Sequence, residues 1–246
     1  METPDRPILP KYVKLLWDLD DPGSRGPKRG MSLDQILEAA IAIADAEGFA
    51  ALSMSRVAKQ LGFTAMSLYR YVDSRDTLIE LLMDRIVGAP PTLPADAGWR
   101  AGLEAWAWGE FHAIRVHPWW LDIPLSSPPV GPNNMAWLEA GLTAMTDVPI
   151  PESLKLQLVT NLSFYVIGRA RFLQDTIKQA KDDKDYPAIL AQVLDPARFP
   201  AITSALSHQA FDDDDMQWEE ADFRFALDRL LDGYEHFITK FTTETR

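Results

Sequence analysis

The sequence predicts an all-α fold, with a small N-terminal helical head and a larger helical body. Three observations carry that reading. Apolar residues recur three and four positions apart through most of the chain, the period of one helix face. No stretch of residues 1–88 alternates convincingly with period two, as a half-buried strand would. Pro124 to Pro132 and the prolines at 149 and 151 separate the long periodic segments of the body.

Residues 1–30 read as a flexible arm. Four prolines precede position 25, and the arm ends in the basic cluster Arg25, Lys28 and Arg29. Leu9 to Leu19 is also compatible with a short amphipathic turn, since Tyr12, Leu15, Leu16 and Leu19 recur at helical spacing. Ser32 then caps the first long helix, with Gln35 completing a capping box. Leu33, Ile36, Leu37, Ala40, Ile41 and Ala44 form its inner face, and Gly48 ends it. Ser53 or Ser55 caps a second, short helix through Ala58 and Leu61, stopped at Gly62. Thr64 caps a third, from Ala65 to about Val72. A fourth follows Ser74, with Leu78, Leu81, Leu82 and Ile86 inward.

The prolines of Ala89 to Pro94 mark a linker between a head at 31–88 and a body at 95–246. In the body the periodicity gives long helices at about 98–117, 133–146, 152–181 and 217–241. Shorter ones fall near 186–194 and 200–208. Asp212 to Asp215 reads as a solvated loop without the ligand spacing of a calcium site.

Composition narrows the function classes. The chain has 246 residues, 47% of them hydrophobic and 24% charged, the balance of a globular protein. It has no cysteine, which excludes disulfides, thiol catalysis and thiolate metal sites. No membrane-length apolar run or secretory leader is evident, so a cytoplasmic location is expected. The net charge is −12. By segment it is +2 over residues 25–75 and −10 over 89–246, so the acidity belongs to the body. The four histidines lack metal-ligand spacing, and neither a nucleophile elbow nor a Gly-rich phosphate loop is present; no metal, cofactor or catalytic residue is expected.

The run from Leu52 to Val72, LSMSRVAKQLGFTAMSLYRYV, has two short helices joined at Gly62-Phe63-Thr64, the geometry of a helix-turn-helix. Leu68 and Val72 point toward Val57, Ala58 and Leu61, leaving small and polar groups for a DNA groove. The segment Ser32 to about Val87 resembles the DNA-binding domain of the TetR/AcrR family of bacterial transcriptional regulators. The motifs that carry the likeness are Ala-Asp-Ala-Glu-Gly at 44–48, Leu-Ser-Met-Ser-Arg-Val-Ala at 52–58, Leu61-Gly62, Ser-Leu-Tyr-Arg-Tyr-Val at 67–72 and Arg75-Asp76.

That resemblance implies roles for Ser55, Thr64, Ala65, Met66, Ser67, Tyr69, Arg70, Tyr71 and Arg75 in binding double-stranded operator DNA. Ala65, Met66 and Ser67 fall at base-reading positions, Tyr69 and Tyr71 at phosphate-clamping ones, and Arg75 at a phosphate contact. Arg70 is left to a phosphate or to a pair with Asp73. The basic cluster at 25–29 is either a solubilising tail or an arm that reaches the DNA.

Beyond position 88 the chain still resembles a tetracycline-repressor-type C-terminal domain. The likeness is carried by Trp99-Arg100, His117-Pro118-Trp119, Gly131-Pro132-Asn133 and Leu227 to Tyr234. It implies a small-molecule pocket and a homodimer interface. Trp106, Trp108, Phe111, Trp119, Trp120, Met135 and Trp137 crowd within about 30 residues, a density suited to an apolar cavity. The expected pocket residues are Trp106, Phe111, His112, Trp120, Met135, Phe164, Tyr165 and Arg169. Arg171 reads more simply as a surface partner of Asp175.

The helix at 152–181 is apolar on more than one side, and the last helix bears a long apolar stripe. The expected dimer interface, a four-helix bundle across a two-fold axis, takes Leu158, Leu162, Leu227, Leu231, Tyr234 and Ile238 from them. The reading is a ligand-responsive regulator, more simply a repressor, that binds a palindromic operator as a homodimer. A protein or enzyme that binds an apolar ligand without DNA is the alternative, and a DNA-binding protein with a filled core is another.

Overall fold

A computed structural model describes residues 8–19, 30–94, 98–124, 128–179, 186–211 and 218–244; the side chains of 177–179 and of Trp218 and Glu219 are outside the description. The basic cluster at 25–29 and the acidic run 212–215 lie outside the described residues. Among the described residues the regular structure is helical throughout. The chain forms α1 (Lys11–Leu16), α2 (Leu33–Glu47), α3 (Met54–Gln60), α4 (Ala65–Leu68) and α5 (Arg75–Val87), then α6 (Gly98–Val116) and α7 (Pro132–Ala144). The long α8 (Glu152–Gln179), the short α9 (Tyr186–Val193) and α10 (Pro200–Ser207), and α11 (Trp218–Glu244) complete it.

The caps that punctuate the head are those its sequence encodes. The Ser32 hydroxyl accepts from the Gln35 N–H at 3.2 Å, and the Gln35 side chain accepts from the Ser32 N–H at 2.8 Å. Ser53 caps α3, accepting from the Arg56 N–H, which settles the choice between Ser53 and Ser55. Thr64 caps α4 and Ser74 caps α5. Gly48 and Gly62 take φ of +83° and +77°, a region a side chain would strain. Helix α4 is shorter than the expected 65–72: the regular helix stops at Leu68 and the chain continues in turns, which still seat Val72 in the head core.

Two cores result. In the head, Ile36, Val57, Leu68, Val72, Leu78 and Leu82 are fully or almost fully enclosed. In the body, Leu103, Phe111, Leu162, Val166, Phe223, Leu227 and Leu231 join α6, α8 and α11. Helix α7 comes close to α8 at Gly141, where an added Cβ would lie 2.6 Å from Val159 Cγ1.

Of the two readings of the leader, Leu9 to Leu19 takes the short helical one. Helix α1 packs along α5, with Leu15 and Leu16 against the head core. The Trp17 indole N–H donates to the Val130 carbonyl at 2.8 Å, so the leader touches the loop that precedes α7. Lys11 also pairs with Asp73 at 3.9 Å. The apolar spacing of Leu15 and Leu16 outweighs the proline punctuation because α5 offers it a surface.

Candidate functional site: a helix-turn-helix hairpin and a cavity between head and body

The hairpin α3–α4 rests on α2 through Val57, Ala58 and Leu68, all almost wholly buried. With Leu68 inward, the remaining face of α4 is outward. Met66 is 76% exposed and stands at its tip. Ser55, Thr64, Tyr69 and Arg70 are exposed, while Ala65, Ser67 and Tyr71 are half-buried. The Ser67 and Thr64 hydroxyls lie 3.1 Å apart, so the cap of the helix and Ser67 share one hydrogen bond.

The two tyrosines separate. Tyr69 faces solvent, whereas Tyr71 packs on the head core with its hydroxyl close to Gly30. Asp73 pairs with Lys11 rather than Arg70, so the leader removes one of the two alternatives for Arg70. Arg75 is anchored within the head: its Nε–H donates to the Leu52 carbonyl at 3.3 Å and its guanidinium lies over Phe49.

Between head and body lies a cavity of about 1060 Å³. Helix α5 forms one wall with Ile79, Met83 and Ile86; α6, α7 and α8 form the others. Of the expected pocket residues, Trp106, Trp120, Met135 and Phe164 line it. The other four do not. Phe111 is fully buried and stacks on Phe223 at 4.2 Å, filling the core behind α6. His112 is exposed, against Trp108. The Tyr165 hydroxyl donates to the Phe223 carbonyl at 2.8 Å, and burial pushes its pKa up to about 12. Arg169 forms an ion pair with Asp222 across α8 and α11. Arg171 likewise departs from its expected partner Asp175 and donates to the Leu121 carbonyl. Aromatic density marked the neighbourhood, but the helix face decides which rings reach the cavity.

Glu110 was not among the expected pocket residues. It follows Trp106 by four and precedes Ile114 by four on the face of α6 that lines the cavity, and that spacing was the available signal. The Ser163 hydroxyl donates to Glu110 Oε1 at 2.6 Å; Oε2 is enclosed and has no hydrogen-bond partner among the described residues. Burial pushes the Glu110 pKa up to about 8, partly offset by the Ser163 bond.

Two polar joints connect the walls. The buried carboxylate of Asp84 on α5 caps α7: Oδ1 accepts from the Asn134 backbone N–H and side-chain amide, both at 2.9 Å, and Oδ2 from the Asn133 N–H at 3.3 Å. The Trp137 indole N–H in turn donates to the Val87 and Gly88 carbonyls at the end of α5. On the other side, Asp45 of α2 accepts from the Trp119 indole at 2.6 Å and lies 2.7 Å from His117 Nδ1.

The six residues expected at the dimer interface are turned into the protomer. Leu162, Leu227 and Leu231 are fully buried, Tyr234 and Ile238 nearly so, and Leu158 is half-buried. Tyr234 ties α11 to α8, donating to the Leu158 carbonyl and accepting from the Asn161 amide, both at 2.9 Å. The exposed apolar face of α8 is instead Leu156, Phe164 and Phe172, and α11 adds Phe225 and Phe237.

A helix-turn-helix head carried on a helical body with a cavity is the architecture of a one-component DNA-binding regulator. Family models agree over most of the chain: residues 36–82 match the bacterial regulatory proteins of the tetR family, and residues 90–238 match the tetracyclin repressor-like C-terminal domain. The chain is 37% identical to the HTH-type transcriptional repressor DrrR1 of Streptomyces coeruleorubidus, over 97% of this chain and 90% of that one. It is 24% identical to the tetracycline repressor protein class E of Escherichia coli, over 83% of this chain and 90% of that one. Among solved structures, the Streptomyces coelicolor TetR family protein ActR in complex with actinorhodin matches with a TM-score of 0.71 at 23% identity, covering 85% of this chain and 99% of that one. The chain belongs to the TetR family of bacterial transcriptional regulators. As a member of that family it is a transcriptional regulator.

Proposed function

We propose that the protein works in the cytoplasm as a homodimer on a palindromic operator and is released when an apolar effector fills the cavity between head and body, with no catalytic step. The observation that carries this reading is that one helix, α5, serves both sites. Its N-terminal residue Arg75 holds the loop before α3, and its Ile79, Met83 and Ile86 form a wall of the cavity. A ligand that favours a different position of α5 then moves the hairpin with it, and the loss of operator affinity equals the ligand's preference for that position.

The proposed operator contacts are Met66, Ser67 and Ala65 toward base edges, with Ser55, Thr64, Tyr69, Arg70, Tyr71 and Arg75 around them toward phosphates. The exposed location of Met66 and Tyr69 supports this most strongly. Without charged base-readers in α4, selectivity rests on Ser67, apolar contact with thymine methyls and DNA shape. For the dimer, the exposed Phe172 of α8 with Phe225 and Phe237 of α11, none of which lines the cavity, form the proposed pairing face. ActR was solved with actinorhodin, and a substituted form of TetR from Acinetobacter baumannii with minocycline. The tryptophan-walled cavity here supports a ringed, largely apolar effector of similar bulk.

Selection of duplexes from a random library by the full-length protein tests the proposal. The expected product is a palindrome whose half-site centres lie about 34–36 Å apart. Recovery of unrelated sequences contradicts it.

A further inference from the structure

Where α6 and α8 meet on the cavity wall, Glu110 and Ser163 form a hydrogen-bonded pair. Glu110 Oε1 holds the Ser163 hydroxyl, but Oε2 has no partner among the described residues. A buried carboxyl left half-satisfied is costly to the unliganded state, and a ligand donor at Oε2 relieves that cost.

The surrounding charges select the kind of donor. From α5 the cavity receives Arg75, Asp76 and Glu80, and from the turn after α6 it receives His117 and Asp122. Among the lining residues, α7 and α8 add no titratable side chain. Arg75 is engaged with Leu52 and Phe49, and His117 with Asp45, so both cationic candidates face other partners, while Asp76 and Glu80 of α5 keep the wall opposite Glu110 acidic. Trp106, Trp120 and Trp137 add indole surfaces, which attract cations as well as flat rings.

We propose that Glu110 is the effector's polar anchor and that the effector carries a protonated amine on a flat apolar body. The inference rests on the effector-cavity reading above. Before binding, Glu110 holds its proton at neutral pH because its pKa is raised to about 8. On binding an ammonium group it becomes the carboxylate partner, and its proton leaves to solvent. Ser163 assists by donating to Oε1 of the charged form.

Calorimetry of the full-length protein with anthracenylmethylamine, anthracenylmethanol and anthracene carboxylic acid tests it, since the three share one ring system. The expected order is amine over alcohol by about tenfold at pH 8, with the acid weakest; that ratio corresponds to about 1.4 kcal/mol. The preference shrinks on going to pH 6, where Glu110 keeps its proton. At pH 7 the amine releases close to one proton per site, seen as a dependence of the heat on the buffer. Glu110→Gln removes the preference and the proton release while still binding the alcohol. Ser163→Ala keeps both but moves the pH midpoint upward, a change that loss of packing alone does not produce. Alcohol and amine binding equally, or a preference unchanged in Glu110→Gln, overturns the amine anchor and leaves the cavity reading standing. Binding of none of the three overturns both.

Discussion

Asp84 and Asn134 are joined by two hydrogen bonds of 2.9 Å to a single carboxylate oxygen, so a residue of the head helix caps a helix of the body. Gly131 makes the approach possible: a Cβ there would lie 2.1 Å from Asp84 Oδ1. Asp84→Ala removes a buried cap and leaves the α7 N–H groups without a partner. Stability is expected to fall by about 1–3 kcal/mol in urea titration. Gly131→Ala, which displaces the same carboxylate, is expected to share the phenotype. In both, bound effector should change operator affinity less than in the wild type, because α5 and α7 no longer move together.

On the proposed DNA face, the contrast between Met66 and Tyr69 is testable by binding to a panel of related duplexes. Tyr69→Ala is expected to weaken every duplex by a similar factor, about five- to tenfold, as loss of a backbone contact should. Met66→Ala is expected to change the ranking of duplexes while the average affinity stays nearly constant. Thr64→Val should cost about 1 kcal/mol of stability through the lost cap and weaken binding with it.

Deleting residues 1–19 removes α1 from α5 and the Trp17–Val130 hydrogen bond. A drop in stability of about 1–3 kcal/mol is expected by thermal unfolding, from the apolar area that Leu15 and Leu16 cover. Trp17→Phe separates the strap from the packing, and a loss well under half of that figure is expected.

Much of this architecture is legible in the sequence. Ser32, Thr64, Ser74, Gly48 and Gly62 announce where the head helices begin and end, because caps and positive φ are local requirements. Helix periodicity gives the body helices to within two or three residues at each end. What periodicity does not encode is which of two apolar faces meets the same chain. Leu227, Leu231 and Tyr234 share a stripe that suits a partner as well as the protomer core, and packing assigns them to the core. The same gap separates Phe111, turned to Phe223, from Trp106, turned to the cavity. Asp84 and Glu110 were missed because an acidic residue on an apolar face gains its meaning only from the distant chain that meets it: Asn134 in one case, Ser163 in the other.

If the exposed phenylalanines pair two protomers, Phe172→Glu should give a monomer by light scattering with helical content retained, since Phe172 is 55% exposed. Leu227→Ala, at a fully buried position, should instead lower stability by about 2–5 kcal/mol. A Phe172→Glu protein that remains dimeric places the interface elsewhere.

Glu110 also leaves a signature in stability against pH. Its folded pKa of about 8 lies above the ordinary 4.5, so the folded state holds a proton the unfolded chain has already released. Stability contributed by that proton is complete below pH 4.5 and is lost as pH rises through 8. Relative to Glu110→Gln, the wild type is expected to lose melting temperature steadily between those limits. Parallel curves for the two proteins contradict the buried proton.

Fluorescence anisotropy of a selected palindromic duplex, titrated with the full-length protein at several salt concentrations, bears most directly on the reading of this chain as a DNA-binding repressor. The expected result is sequence-selective binding by a dimer that weakens steeply with salt and is reversed by a cavity ligand. Binding that is indifferent to sequence, or absent at low salt, contradicts it.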